Sequence, residues 1–168
     1  MNQTIEFAAR SVLIGAGATL LTDVWAALLR RLGIPSLNFA LLGRWIGHLP
    51  KGRWVHASIS LAVPIRGELL IGWSAHYAIG ISFAALLLAV FGLQWARSPA
   101  LYPALLVGVA TVLAPLLILQ PALGAGIASW KTRTPVFNSI KSLATHTVFG
   151  FGLYLAAHAA LVLVPRGE

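Results

Sequence analysis

The sequence predicts an all-α membrane protein: a polytopic bundle of four transmembrane helices with an interfacial or re-entrant segment after the first. Of its 168 residues, 58% are hydrophobic and only 10% are charged, which is outside the usual range of a soluble domain. Four apolar runs approach or exceed the ~20 residues that a helix needs to cross a bilayer. The length therefore predicts one integral-membrane domain, residues 1–168, without a soluble catalytic domain.

The first span is predicted over approximately residues 5–29, with Thr4 as its N-cap and with Arg30 and Arg31 after its end. The preceding segment lacks the basic start of a signal peptide, so we expect this helix to be retained. Asp23 shares a helix face with small residues that permit close helix contact. The aspartate is therefore predicted to point into the bundle.

Residues 30–68 form the longest segment between spans and are rich in basic and aromatic side chains. Residues 37–48 are predicted to form a short helix at the level of the lipid headgroups. Whether residues 37–65 are interfacial or re-entrant stays open, and a fifth short span over residues 55–65 is the alternative. Three basic residues here could bind an anionic lipid headgroup or phosphate, or serve only to set topology: Arg44, Lys51 and Arg53.

The second span, approximately residues 69–93, carries a histidine about one turn inside its apolar run. His76 is flanked by Gly72 and Gly80 at spacings of four residues, which places all three on one helix face. Glycines on that face allow another helix to approach closely. Burying an ionisable group in a membrane span costs free energy, so His76 is a candidate functional residue.

The third span is predicted over approximately residues 101–120. Ala104 and Gly108 provide a pair of small residues for close helix contact, and Pro115 is expected to bend the helix.

Residues 120–141, rich in glycine, proline and basic residues, are predicted to form a loop before the fourth span. That span covers approximately residues 142–164. Within it, His146 and Gly150 lie one turn apart, which repeats the histidine and glycine face of the second span.

The distribution of Lys and Arg predicts the orientation, because basic residues gather in cytoplasmic loops. Nine of the 12 lie in or beside the two large loops, and the remaining three, Arg10, Arg97 and Arg166, lie on the other side. We therefore expect cytoplasmic loops and termini that face the periplasm or exterior. The net charge of +8 reflects topology and contact with anionic headgroups in the bilayer, not nucleic-acid binding; the chain could also form a homo-oligomer.

Three ionisable residues on three spans are predicted to lie at one depth near the cytoplasmic interface: Asp23, His76 and His146. Two imidazoles and a carboxylate suit a divalent transition metal such as zinc, iron, nickel or copper, and equally suit a proton relay. The chain has no cysteine and no HExxH spacing, so no metal motif supports the metal site. Other nitrogen and oxygen donors on the same side of the membrane could complete the coordination shell: His56, Glu68 and Gln120.

Three classes of function stay open from these residues. A small proton-linked or ion carrier is the first, because titratable residues on converging helices mark such pathways. An intramembrane metal-dependent enzyme is the second. A packing or assembly protein without a ligand is the third, since interhelical polar contacts also fix helix packing.

Five motifs occur in order along the chain: GATxxxD, LGRWxxxLxxGRxxH, GExxxGWxxHYxIG, QPxxGxGxA and SLxxHxxFGxGLY. This string resembles a bacterial four-helix integral-membrane family of unassigned function, and the resemblance covers nearly the whole chain. It implies a four-helix inner-membrane protein but no substrate or cofactor. The polar positions that match the family motifs are Asp23, His56, Glu68, His76 and His146.

Overall fold

The computed structural model describes residues 2–164, which contain five principal helices and no β-strand. These helices are α1 (Gln3–Arg31), α2 (Phe39–His48), α3 (Glu68–Arg97), α4 (Leu101–Ala122) and α5 (Pro135–Leu163). Shorter 3-10 turns cover Leu49–Lys51, Ile59–Leu61 and Ile127–Ser129. The predicted all-α class is confirmed.

Four of these helices, α1, α3, α4 and α5, are long and apolar enough to cross a membrane. No more than 33% of the apolar window in any of them is buried inside the chain. Leu20, Val24 and Leu28 form an exposed apolar row along α1 at the spacing of one helical turn. Apolar faces of this extent indicate a membrane protein, in which lipid covers what the chain does not.

The helix bounds differ from the prediction most at the start of α5. This helix begins at Pro135, seven residues before the predicted Ser142. Proline is favoured at the first helical position because its φ angle is preset and its missing N–H is not needed there. At the start of α1 the predicted cap Thr4 is also wrong, since the Asn2 side chain accepts a hydrogen bond from the Thr4 N–H at 2.9 Å.

The segment after α1 contains the predicted short helix and no further span. Helix α2 falls within the predicted residues 37–48, and its cap is Asn38, whose side chain accepts from the Ala40 N–H at 3.0 Å. The alternative of a fifth span over residues 55–65 is wrong, because the only helical turn there is Ile59–Leu61.

Helix α4 changes its winding around the predicted bend. Regular α-helix covers Leu101–Ala110, a π-helical turn covers Pro115–Leu119, and one more α-helical turn covers Gln120–Ala122. Proline cannot donate a backbone hydrogen bond, so an altered turn beside Pro115 follows from its chemistry.

The described residues group into two units, each packed around its own set of segments. Unit 1 comprises residues 2–34, 77–111 and 145–164, and unit 2 comprises residues 35–76 and 112–144. The single domain predicted over residues 1–168 stays a prediction.

Unit 1 is held together by helices that approach closely at small residues. A Cβ added to Gly108 would clash with Gly150, and one added to Gly80 would clash with the Thr19 side chain. These contacts confirm the predicted packing role of both glycine faces. A continuous apolar core then fills the space around them, including Ile14, Ala84, Leu87, Leu88, Val107, Phe149 and Leu153.

In unit 2, Arg44 on α2 binds the irregular segment that follows this helix. The Arg44 Nη1 donates to the carbonyl oxygens of Ile59, Ser60 and Ala62 at 3.1 to 3.4 Å. Arginine is suited to this role because its guanidinium offers five donors in a fixed plane. In the same unit, α2 and α3 cross at Gly43 and Gly72, where no side chain would fit.

Candidate polar site

Asp23, on α1, is hydrogen-bonded to a residue of another helix within unit 1. The Tyr77 hydroxyl on α3 donates to the Asp23 carboxylate on α1 at 2.9 Å. Asp23 lies eight residues before the end of α1, and Tyr77 lies nine residues after the start of α3. At 1.5 Å per residue, both are roughly 12 to 14 Å along the helix axis from those helix ends.

His146 forms the second interhelical hydrogen bond of unit 1. Its Nδ1 lies 2.9 Å from the Thr111 hydroxyl on α4, and that hydroxyl donates to the Gly108 carbonyl at 2.6 Å. A hydroxyl carries one proton, so the Nδ1–H of His146 must be the donor to the Thr111 oxygen. Neutral His146 therefore carries its proton on Nδ1 and presents Nε2 as an acceptor.

The membrane depth predicted for His146 stays a prediction, although the helix that carries it begins earlier than predicted. Measured from the predicted loop at Lys141 it lies five residues inside the span, whereas it lies eleven residues inside α5, which begins at Pro135. Lys141 is itself helical, and its ammonium donates to the Pro35 carbonyl at 2.7 Å. His146 is roughly 16 Å along the helix axis from the start of α5.

His76 belongs to unit 2, where it lies among aromatic rings. Its imidazole centroid is 4.5 Å from that of Phe39 on α2 and 5.9 Å from that of Trp73. The predicted convergence of His76 with Asp23 and His146 stays a prediction, since those two residues belong to unit 1.

Glu68 is engaged by arginine. Its two carboxylate oxygens accept from Arg44 Nη2 at 2.8 Å and Nε at 2.9 Å, and one of them also accepts from the Ile65 N–H at 3.0 Å. The hydrogen bond to Glu68 also raises the pKa of Arg44 above its ordinary value. Of the three basic residues predicted to bind lipid headgroups, Arg44 thus has an internal role, whereas Lys51 and Arg53 are exposed.

His56 and Gln120 lie in unit 2 with buried polar atoms. Both ring nitrogens of His56 and the side-chain oxygen of Gln120 have no hydrogen-bond partner. The Gln120 amide nitrogen donates to the Ser142 hydroxyl at 3.2 Å. Within residues 2–164, no group of three or more His, Cys, Asp or Glu side chains is arranged to hold a metal ion.

Sequence reasoning missed a buried ionic cluster in unit 1. Glu6 accepts from Arg10 at 2.9 Å and from Arg97 at 2.5 and 3.1 Å, and the side chains of Glu6 and Arg10 are fully buried. Arg10 also donates to the carbonyl oxygens of Ala96 and Val164, at the ends of α3 and α5. The available signal was the spacing of four residues between Glu6 and Arg10, which places opposite charges on one helix face.

A family model described as a protein of unknown function, DUF2938, matches residues 12–160. No curated protein matches the chain. No solved structure matches it either.

Proposed function

We propose that this chain, which belongs to DUF2938, a family of unknown function, is a small proton-linked or ion carrier built around Asp23 and His146. The observation that carries this proposal is that each of these titratable side chains, deep within a span, is hydrogen-bonded to a different span. Titratable residues in such positions mark ion pathways and proton relays in membrane proteins.

Each of the two hydrogen-bonded pairs contains a side chain that can take up and release a proton, an aspartate in one and a histidine in the other. A tyrosine hydroxyl donates to a carboxylate in the pair formed by Tyr77 and Asp23. In the other pair, the Thr111 hydroxyl connects His146 to a backbone carbonyl. Histidine is a frequent proton-relay side chain, because one ring nitrogen can accept a proton while the other donates one.

The location of these pairs supports one pathway. Four consecutive spans alternate in direction, so the end of α1, the start of α3, the end of α4 and the start of α5 lie on one side of the membrane. Asp23, Tyr77, Thr111 and His146 lie eight to eleven residues from those four ends. We place the carrier site at this level of the four helices, in the cytoplasmic half of the bundle.

A packing protein without a ligand is the second candidate, because the same unit contains tight contacts such as that of Gly108 with Gly150. Hydrogen bonds between helices would then serve only to fix their positions. The two candidates predict different effects of removing the charge of Asp23. A carrier should lose transport, whereas a packing protein should change only in stability.

For orientation, we propose that both large loops face the cytoplasm of a bacterial inner membrane and both termini face outward. The uneven distribution of Lys and Arg supports this proposal. Exposed Lys51 and Arg53 would then face anionic headgroups of the inner leaflet.

The test is proton flux into sealed vesicles that contain the purified protein, driven by an imposed potential and read with an internal pH dye. We expect flux above that of protein-free vesicles, and at least a tenfold loss in Asp23→Asn. Gln94→Ala, at an exposed position of α3, is the control and should retain the flux. Wild-type flux equal to that of protein-free vesicles would favour the packing protein.

A further inference from the structure

Unit 2 contains two histidines whose rings are in edge-to-face contact, and neither lies in one of the four long apolar helices. His48 is the last residue of α2 and His56 lies in the segment that follows. Their ring centroids are 5.2 Å apart, and the ring planes are inclined at 74°. We call these two residues the histidine pair.

The tautomer of His48 follows from its one hydrogen bond. His48 Nε2 lies 2.9 Å from the Val63 carbonyl oxygen, and a carbonyl can only accept, so Nε2 carries the proton. The Nδ1 lone pair is then available, and this atom is buried without a partner in a residue only 2% exposed. A carbonyl that holds one ring nitrogen while the other is free is the arrangement that orients metal-binding histidines.

His56 has no hydrogen bond through its ring. Both of its nitrogens are buried and unpartnered, although a neutral imidazole has one donor and one acceptor that each need a partner when buried. Its backbone is nevertheless fixed, because the His56 N–H donates to the Ala122 carbonyl at 2.9 Å. The backbone of His56 is thus held in place, and its buried ring offers two nitrogens that a ligand could satisfy.

The segment that fixes His56 also carries a further donor atom. Gln120 lies two residues before Ala122, and its side-chain oxygen is buried without a partner while its nitrogen donates to Ser142. The packing is tight, since Gly124, at φ +98°, lies against the carbonyl oxygens of His56 and Ala57. An amide oxygen assigned in this way is an acceptor and can only be satisfied by a hydrogen-bond donor or a cation.

We propose that the histidine pair binds a divalent first-row transition-metal ion through His48 Nδ1 and one ring nitrogen of His56, with the Gln120 oxygen as a third ligand. Imidazole nitrogen suits zinc, copper and nickel ions. The guanidinium of Arg44, one turn before His48, does not oppose the cation with an unbalanced charge, because Glu68 binds it through both carboxylate oxygens.

The proposed site has only two histidine ligands, and no group of three His, Cys, Asp or Glu side chains among residues 2–164 is arranged to hold a metal ion. Two imidazoles and an amide leave coordination positions for water or another molecule, unlike the closed four-ligand sites that stabilise folds. The site is therefore one for an exchangeable ion, and it does not depend on the proposed carrier role of Asp23 and His146.

The test is a titration of the purified protein, prepared without a polyhistidine tag, with cobalt(II) and then with zinc as competitor. We expect one cobalt ion per chain with visible ligand-field absorption, lost on addition of zinc. His48→Gln can keep a donor near the Val63 carbonyl but removes Nδ1, and His56→Phe removes both unpartnered nitrogens. Each variant should weaken binding at least tenfold, whereas the control His158→Gln, at an exposed position of α5, should bind as the wild type does.

A stability measurement separates a ligand from a structural histidine. Without metal, His56→Phe should unfold at a temperature no lower than the wild type, because it loses no hydrogen bond; with zinc, only the wild type and His158→Gln should gain stability. X-ray absorption of the cobalt-loaded wild type should show two imidazole ligands, a result that needs no variant. No stoichiometric cobalt binding, unchanged binding in both pair variants, or a spectrum without imidazole ligands would overturn the proposal.

Discussion

At the scale of single residues, buried charge in this chain is matched by specific donors. The Glu6 carboxylate receives two guanidinium groups, while the Asp23 carboxylate receives the hydroxyl of Tyr77. Removing one partner of a fully buried ion pair leaves a charge that cannot be hydrated, which is more damaging than losing an exposed pair. These two carboxylates should therefore respond differently to substitution.

Glu6→Gln should strongly destabilise the protein, by about 3 to 5 kcal/mol, because Arg10 would remain buried without its counter-charge. Thermal unfolding in detergent measures the effect, with Gln94→Ala as the exposed control. Equal unfolding temperatures for the two variants would show that Glu6 does not hold this cluster together.

Tyr77→Phe should lower stability by only about 1 kcal/mol, the usual size of an interhelical hydrogen bond in a membrane protein. It should also reduce proton flux, since Asp23 loses a donor. Tyr102→Phe is the matched control, because Tyr102 is 72% exposed. A flux unchanged in Tyr77→Phe would place Tyr77 outside the pathway.

At the scale of helices, glycine faces determine which spans approach each other. Helix α1 meets α3 at Gly80, whose missing side chain leaves room for Thr19. The sequence made these faces visible, because His76 and His146 each have glycines one turn away. It did not reveal the pairing of Asp23 with Tyr77, since residues 54 positions apart share no local pattern.

The start of α5 shows why the sequence placed the beginning of the fourth span too late. Asn138 and Lys141 make its first turns polar, so the apolar run begins later than the helix. Hydropathy finds the part of a helix that lies in lipid, not the turns that extend beyond it. His48 escaped notice for a related reason: it lies in a basic and aromatic stretch that was interpreted only as an interfacial segment.

Gly80→Val should disrupt the contact of α1 with α3 and cost about 1 to 3 kcal/mol, the usual penalty of overpacking. Ala78→Val, two residues earlier on the same helix and exposed, should have little effect. Comparing the unfolding temperatures of the two variants tests the contact. A Gly80→Val protein as stable as Ala78→Val would contradict the packing described for unit 1.

At the scale of the whole molecule, four apolar helices and the uneven placement of basic residues set the expected orientation. The number of spans follows from apolar length alone, which explains why it was predictable. Orientation depends on interactions with the membrane and its insertion machinery, so it needs a separate measurement.

Single-cysteine labelling can measure orientation cleanly because the chain contains no cysteine. Lys51→Cys should react with a membrane-impermeant maleimide only after the cells are opened, whereas Gln3→Cys should react in intact cells with a permeable outer membrane. Both positions are exposed. The reverse pattern would invert the proposed topology.

The carrier proposal is tested most directly by two substitutions of the same type on one helix. His146 is bonded to Thr111 within the bundle, whereas His158, twelve residues later on α5, is exposed. In sealed vesicles under an imposed potential, His146→Gln should lose at least tenfold of the proton flux and His158→Gln should keep the wild-type value. Equal flux in the two variants, or no flux in the wild type, would contradict the proposal.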